Sequence, residues 1–314
     1  MTTFDSAIEL FPIFRERVWG RESLAPFFPD HPRKERIGEV WFTFEENFTS
    51  ARLKLGELLR DHSDLLGTAF DLRYPGICPI LVKLLFTSER LSVQVHPDDA
   101  YAQQHHDSLG KTEAWYVLDV QPPGELAVGF KEPITPERLQ SSAESGEIEQ
   151  LLNWRIARRG ETIFTPAGTV HAIGAGLTIC EIQENSDITY RLYDYGRPRE
   201  LHLEHGARVS SLGPHEYEAN PVSLAAGRDE LVACEYFRIE RIRPAERFKI
   251  PGNMLSYAIV ICVDGGGTLC DTKACQGQAW FIPAGAEAVP VDAPGSEWIV
   301  TYLAEEPMLG LQVE

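Results

Sequence analysis

Apolar and polar positions alternate in short runs through much of this chain, and glycine or proline separates many of the runs. A period of two predicts strands, as at residues 91–95. Short apolar runs such as residues 80–86 fit the same interpretation. The pattern is typical of an all-β fold. The predicted strands cover residues 38–45, 80–86, 91–95, 114–120, 126–130, 162–166 and 177–182.

Helical periodicity is confined to a few segments between these strands. Residues 53–60 have apolar positions at helical spacing, and Pro97 followed by two aspartates begins a second helix-compatible segment. A third segment is rich in glutamate and contains leucines, and Gly146 divides it. We therefore predict helical insertions at about residues 50–66, 98–107 and 136–154.

The motif Gly-x5-Pro-Ala-Gly occurs twice, at residues 160–168 and 277–285, with phenylalanine at the same register in both copies. The repetition predicts a second β-barrel, and a generic turn between strands is the alternative. Where the first copy leads to His171, the second has Ala288, so the second copy cannot bind a metal in the same way. The predicted organisation is a catalytic domain at 1–211, a connection at 212–232 and a second domain at 233–314.

The composition predicts an ordinary soluble globular protein, since 43% of the 314 residues are apolar and 10% are aromatic. No apolar run is long enough to span a membrane, and the first residues lack the features of a signal peptide, so we expect a cytoplasmic location. The six cysteines include no C-x-x-C pair and are expected to be free thiols. A formal net charge of -18 argues against a nucleic acid partner.

Three short stretches carry residues that bind divalent metals. Gln94 and His96 lie at i and i+2 of a predicted strand, so both side chains leave the same face. Glu113 begins a second strand, and His171 follows a Pro-x-Gly turn after a third. Two imidazoles, one carboxylate and an amide oxygen suit zinc with an open position for water or substrate.

The turn before His171 matches the core of the second cupin motif, in which a hairpin places a histidine in the mouth of a small β-barrel. The first cupin motif is matched loosely, because Gln94 replaces a histidine and Glu113 comes 17 residues after His96. Ordered blocks along the chain resemble the type I mannose-6-phosphate isomerases of the cupin superfamily, in their short bacterial form. These blocks are residues 11–20, 37–41, 91–99, 110–116, 165–172 and 181–197.

The resemblance implies a cupin (jelly-roll) barrel with helical insertions and a second, metal-free cupin-like domain. It implies that one zinc ion per chain is bound by His96, Glu113 and His171, with Gln94 as a fourth ligand. It also places Arg191 at the family's catalytic arginine.

The resemblance further places Lys111 at a lysine of the substrate pocket, and Ser92 and Lys83 at positions that contact phosphate. For Lys83, the alternative is an edge strand that uses a lysine to prevent pairing. For Arg191, the alternative is a surface ion pair with Asp187 or Asp194.

The activity implied is interconversion of mannose 6-phosphate and fructose 6-phosphate through an enediolate, whose charge zinc can stabilise. In so acidic a chain, a sugar phosphate needs a locally basic pocket, for which Lys83, Lys111, Arg191 and Arg197 are candidates. Lys111 could transfer the proton if burial near a metal lowers its pKa. Glu184, which lies in a matched block, is expected to contact the substrate and is a second candidate base.

Other functions fit parts of the same pattern. An iron oxygenase of the cupin type would be expected to have a third histidine where Gln94 stands. An isomerase of another sugar phosphate or of a free sugar would differ only in its pocket. A non-catalytic sugar-binding protein would be expected to have lost a metal ligand or Arg191, and neither is lost. The sequence indicates no oligomeric state.

Overall fold

The protein consists of two β units, each built from two antiparallel sheets, in a computed structural model that describes residues 4–32, 34–67, 76–217 and 219–314. In the first unit, the six-stranded sheet has the spatial order β2 (Ile13–Arg21), β3 (Ile37–Trp41), β4 (Ile80–Phe86), β11 (Leu177–Glu184), β6 (Glu113–Val120), β9 (Thr162–Thr165). The five-stranded sheet has the order β12 (Tyr190–Tyr193), β5 (Val93–Val95), β10 (His171–Ile173), β7 (Glu125–Phe130), β8 (Leu152–Ile156).

The second unit repeats this plan with a seven-stranded and a five-stranded sheet. The larger sheet has the order β1 (Ile8–Leu10), β20 (Ala279–Ile282), β17 (Ala258–Asp264), β22 (Glu297–Tyr302), β15 (Arg238–Ile242), β14 (Arg228–Ala233), β13 (Val222–Ala225). The smaller sheet has the order β19 (Thr272–Cys275), β18 (Gly266–Leu269), β21 (Val289–Asp292), β16 (Arg247–Ile250), β23 (Gln312–Val313).

Short helices are inserted between the strands of the first unit. Those in the described residues are α1 (Leu55–Asp61), a 3₁₀ helix (Ser63–Leu66), α2 (Asp99–His106), α3 (Pro136–Ser145) and α4 (Ile148–Leu151), and α5 (Leu203–Val209) follows the last strand. The side chain of Asp98 caps α2 by accepting a hydrogen bond from the Tyr101 N–H at 2.8 Å. Gly146 ends α3 in the left-handed region, at φ 82°. The predicted all-β fold with helical insertions is confirmed.

The third predicted insertion was too long at its end. Residues 152–154 belong to β8, which pairs with β7, rather than to a helix. The predicted connection at 212–232 also contains β13 and most of β14, which are strands of the second unit. The N-terminal strand β1 pairs with β20, so the start of the chain contributes to the second unit's larger sheet.

The repeated Gly-x5-Pro-Ala-Gly motif has the same backbone conformation in both units. Gly160 and Gly277 have φ values of 80° and 88°, and Gly168 and Gly285 have 86° and 77°. Only glycine adopts this left-handed region routinely, so the two copies form equivalent turns between paired sheets. The interior of the second unit is filled by apolar side chains, including Trp280 and Trp298.

Within the described residues, no helix has the length and apolar character needed to cross a membrane. The six cysteines are all free thiols, as predicted.

Candidate metal centre and active site

The two sheets of the first unit bring His96, Glu113 and His171 together at one end. His96 follows β5, Glu113 begins β6 in the opposite sheet, and His171 begins β10. The Nε2 atoms of His96 and His171 lie 3.5 and 3.3 Å from the Glu113 carboxylate oxygens, and the three ligand atoms lie within 4.8 Å of one another. All three residues are buried. One divalent metal ion fits a donor set of this kind.

Both imidazoles are oriented with Nε2 directed at the Glu113 carboxylate. The Nδ1 atom of His96 lies 2.8 Å from the Ile188 carbonyl oxygen, and that of His171 lies 2.9 Å from the Thr169 carbonyl oxygen. A carbonyl oxygen only accepts hydrogen bonds, so Nδ1 carries the proton in each ring. These backbone contacts fix the tautomer that metal binding requires.

Burial also keeps the two imidazoles neutral. It lowers the pKa of His171 to about 4, and burial together with the Lys111 ammonium lowers the pKa of His96 well below its usual range. Because the unfolded chain binds protons that the buried rings do not, the metal-free protein is expected to lose stability as pH falls from about 6.5 toward about 4.

The same pKa values predict an unusual pH dependence of metal binding. Protons should not compete for Nε2 at neutral pH, so the affinity for a divalent metal ion should stay nearly constant down to about pH 5.5 and fall only nearer pH 4. Titration with a competing chelator across this range measures the effect. A decline with a midpoint near the ordinary histidine pKa of about 6.5 would contradict the expectation.

Gln94 lies beside the metal cluster, but its amide nitrogen faces the triad. Its Nε2 is 3.2 Å from His171 Nε2, and its Oε1 accepts a hydrogen bond from Ser92 Oγ at 3.1 Å. A half-turn of the amide group would direct the oxygen at the triad instead. Gln94 therefore stays a predicted metal ligand. It contacts Ser92, which is predicted to bind a phosphate group.

Lys111 contacts two of the three candidate metal ligands. Its Nζ lies 3.1 Å from both His96 Nε2 and the Glu113 carboxylate, and 3.9 Å from Glu181. Burial disfavours the ammonium, but Glu113, Glu181 and Asp187 outweigh burial and raise the pKa of Lys111. The expected lowering of this pKa is therefore not found in the protein without its metal, where Lys111 is a cation.

A polar cavity of about 350 Å³ opens beside the cluster. It contains four predicted site residues besides Glu113 and Gln94: Ser92, Lys83, Lys111 and Arg191. Its remaining lining residues are Arg17, Trp19, Glu39, Leu85, Leu91, Ile173, Glu181, Asp187, Thr189 and Arg199. The cavity therefore combines a possible metal ligand, Glu113, with several cations, which can bind an anionic group such as a phosphate.

Lys83 lies in the wall of this cavity rather than on a sheet edge. Its strand β4 is between β3 and β11, so the edge-strand alternative is wrong. The buried Nζ lies 3.9 Å from both Glu181 and Asp187 and 4.6 Å from the centre of the Trp41 ring. The two carboxylates and the aromatic face hold the ammonium at the cavity.

Glu181 is a site residue that sequence reasoning missed. It is buried in β11, directly opposite Lys83 in β4 and Trp115 in β6. Burial and the Glu113 carboxylate raise the pKa of Glu181 to about 7, although the Lys83 and Lys111 ammonium groups act to lower it. A single carboxylate inside the apolar run at 177–182 was the available sequence indication.

Arg191 reaches the cavity from β12, where it pairs with Gln94. Its Nη1 donates to the Glu200 carbonyl oxygen at 2.8 Å, and its buried Nε has no hydrogen-bond partner among the described residues. The nearby Asp194 pairs instead with Arg197 and Arg199. The structure thus favours the pocket role of Arg191 over a surface ion pair.

Two further predicted residues lie elsewhere. Arg197 donates to the Arg90 carbonyl oxygen at 2.8 Å and does not line the cavity, whose additional arginines are Arg17 and Arg199. Glu184 is also outside the lining, because its carboxylate accepts a hydrogen bond from the Thr112 N–H at 2.7 Å. A direct contact between Glu184 and a substrate in this cavity is not supported.

Comparisons with known proteins identify relatives of this chain. The family model "Phosphomannose isomerase type I, catalytic domain" matches residues 8–132. Mannose-6-phosphate isomerase ManA of Bacillus subtilis is 38% identical over 247 residues, which cover 73% of this chain and 76% of the relative. Mannose-6-phosphate isomerase of Streptococcus mutans is 35% identical over 271 residues, or 81% and 84% of the two chains.

A solved structure gives the same result for the fold. The crystal structure of mannose 6-phosphate isomerase from Bacillus subtilis has a TM-score of 0.85 and 28% identity, and the match covers 94% of this chain and 99% of that one. The predicted cupin fold with a second cupin-like unit is therefore confirmed.

Proposed function

The chain belongs to the type I mannose-6-phosphate isomerases, and from this premise we propose that it interconverts mannose 6-phosphate and fructose 6-phosphate in a zinc-dependent reaction. The observation that carries the proposal is the buried His96–Glu113–His171 cluster at the wall of a cavity that also contains Lys83, Lys111 and other basic groups. We further propose that the reaction proceeds by proton transfer between C1 and C2 through an enediolate.

The ligand set that we propose for zinc is His96, Glu113 and His171, with Gln94 as a fourth ligand after rotation of its amide. Two neutral imidazoles and a carboxylate are ordinary zinc donors, and the backbone contacts of both rings orient them. A bound zinc ion would supply Lewis-acid stabilisation of negative charge that develops on the substrate oxygens.

Glu181 and Lys111 are the groups that we propose for proton transfer. Glu181 lines the cavity, and burial raises its pKa, which favours a carboxylate that accepts a proton from carbon and releases it again. The Lys111 ammonium lies 3.9 Å from Glu181 and can donate hydrogen bonds to the substrate oxygens. Glu184, which we considered as a base, contacts Thr112 outside the cavity.

Substrate binding falls to the cations of the cavity. Arg191, Lys83 and Arg199 provide charged donors, and Ser92 provides a hydroxyl group. Such local positive charge is required because the chain has a net charge of -18, which repels a sugar phosphate at long range. A cytoplasmic protein with a small sugar phosphate as its partner remains our prediction.

An isomerase of a free sugar is the remaining candidate within the same chemistry, and a substrate comparison separates the two. We expect the zinc-loaded protein to form fructose 6-phosphate from mannose 6-phosphate, with kcat/KM for free mannose lower by about 10³-fold, because the buried cations lose their phosphate partner. A coupled assay with mannose 6-phosphate, free mannose and glucose 6-phosphate measures this. Comparable turnover of free mannose would contradict the phosphate-binding role of the pocket.

A further inference from the structure

The segment that carries Lys111 is held by two carboxyl groups behind the cavity. The Gly110 N–H donates to Asp99 Oδ1 and the Thr112 N–H donates to Glu184 Oε2, each at 2.7 Å. The fit is close, because a Cβ atom at Gly110 would come 2.5 Å from the Asp99 nitrogen. Small movements of either carboxyl group would therefore shift Lys111.

The two carboxyl groups also contact each other. Glu184 is 3% exposed, and its Oε1 has no hydrogen-bond donor among the described residues. The Asp99 carboxyl is its neighbour, because the two carboxyl groups bind N–H groups only two residues apart, and its charge acts on Glu184. A buried carboxylate oxygen that faces a second carboxylate without a donor is costly, and a proton between the two groups removes that cost.

The surroundings of Glu184 support this arrangement. Besides Asp99 of α2, the loop between β14 and β15 of the second unit brings Cys234 and Tyr236 near it: burial raises the pKa of both, and the Glu184 charge adds to both shifts. None of these is a cation. Burial raises the pKa of Glu184 to about 8, with Asp99 adding to the shift and the Thr112 N–H opposing it.

We propose that Glu184 is a positioning residue, whose carboxyl group shares one proton with that of Asp99 so that the pair fixes residues 110–113. Glu184 then acts through the backbone, by aligning Lys111 and the proposed zinc ligand Glu113. The effect on catalysis rests on the proposed function, whereas the shared proton does not.

Replacement of Glu184 with glutamine tests the shared proton directly. The amide oxygen of E184Q can accept from the Thr112 N–H while its nitrogen donates to Asp99, so no proton is needed. In the wild type, the native state holds a proton that the unfolded chain releases between about pH 4.5 and 8, and its stability therefore falls over this range relative to E184Q. We expect the Tm of metal-free E184Q minus that of the metal-free wild type to rise steadily from pH 5 to about pH 8.

Kinetics test the positioning role. E184A loses the hydrogen bond to the Thr112 N–H and the proposed one to Asp99. It should lower kcat with mannose 6-phosphate by about 10- to 100-fold with a smaller change in KM. E184Q should retain most of the kcat at pH 7 and lose less of it than the wild type between pH 7 and 9. Exposed Glu132 provides the control, since E132Q removes the same charge and should match the wild type in both experiments.

Two results would overturn the proposal. A Tm difference between E184Q and the wild type that is independent of pH would exclude a proton held by Glu184. Loss of activity in E184Q as complete as in E184A would show that the carboxylate itself is required, which a positioning role does not explain. If the wild type has no isomerase activity but the Tm difference follows pH as described, the proposed function fails while the carboxyl pair stands.

Discussion

His171→Ala is expected to remove bound zinc and to lower kcat/KM for mannose 6-phosphate by roughly 10³-fold or more, because a metal ion contributes several kcal/mol to the stabilisation of developing charge. The ring of His171 is fully buried, its Nε2 lies 3.3 Å from Glu113, and Nδ1 is fixed by the Thr169 carbonyl oxygen. Zinc content by mass spectrometry and steady-state kinetics on the same preparation measure the result.

The histidine substitution has two controls. His105→Ala removes an exposed imidazole on α2 that stacks on Tyr101, and it should leave zinc content and activity unchanged. His171→Leu preserves more of the side-chain volume without a metal-binding atom and should also lose zinc, which separates metal loss from a packing defect. Full activity in a zinc-free His171 variant would exclude this residue from the reaction.

Arg191→Ala is expected to lower kcat by about 10²- to 10³-fold while one zinc ion stays bound, as for loss of a charged group that acts mainly in the transition state. Its guanidinium lines the cavity next to Gln94, and its Nε is buried without a partner among the described residues. Burial and Arg199 lower the pKa of Arg191, but an arginine stays cationic at neutral pH. Zinc content, kcat and KM are measured together.

Arg191→Lys provides the matched control, since it retains the charge without the planar donor group. It should recover part of the kcat that the alanine variant loses. An increase in KM with unchanged kcat in Arg191→Ala would contradict the catalytic role and leave only substrate anchoring.

The histidines of the His96–Glu113–His171 site could be predicted because both lie in local sequence patterns. Gln94 and His96 are aligned by the period of a strand, and His171 follows a turn whose glycines must be in the left-handed region. These features depend on neighbouring residues alone. The fold class was accessible for the same reason, since strand alternation and Gly/Pro punctuation are local.

Features that depend on long-range pairing could not be predicted in this way. Glu181 becomes a site residue only through the register that places it opposite Lys83 and Trp115, and the sequence contains no direct indication of that register. Glu184 was interpreted as a pocket residue because it lies in a matched block, but its carboxylate is directed at Thr112. The pairing of β1 with β20 joins segments from opposite ends of the chain, which no local pattern could indicate.

The most direct test of the proposed zinc-dependent activity is the isomerisation of mannose 6-phosphate by the wild-type protein before chelation, after chelation, and after stepwise return of zinc. The bound metal is counted at each stage. The proposed function requires one zinc ion per chain, loss of turnover on its removal, and recovery that is complete at one equivalent of zinc. Undiminished turnover in protein shown to contain no metal would contradict it.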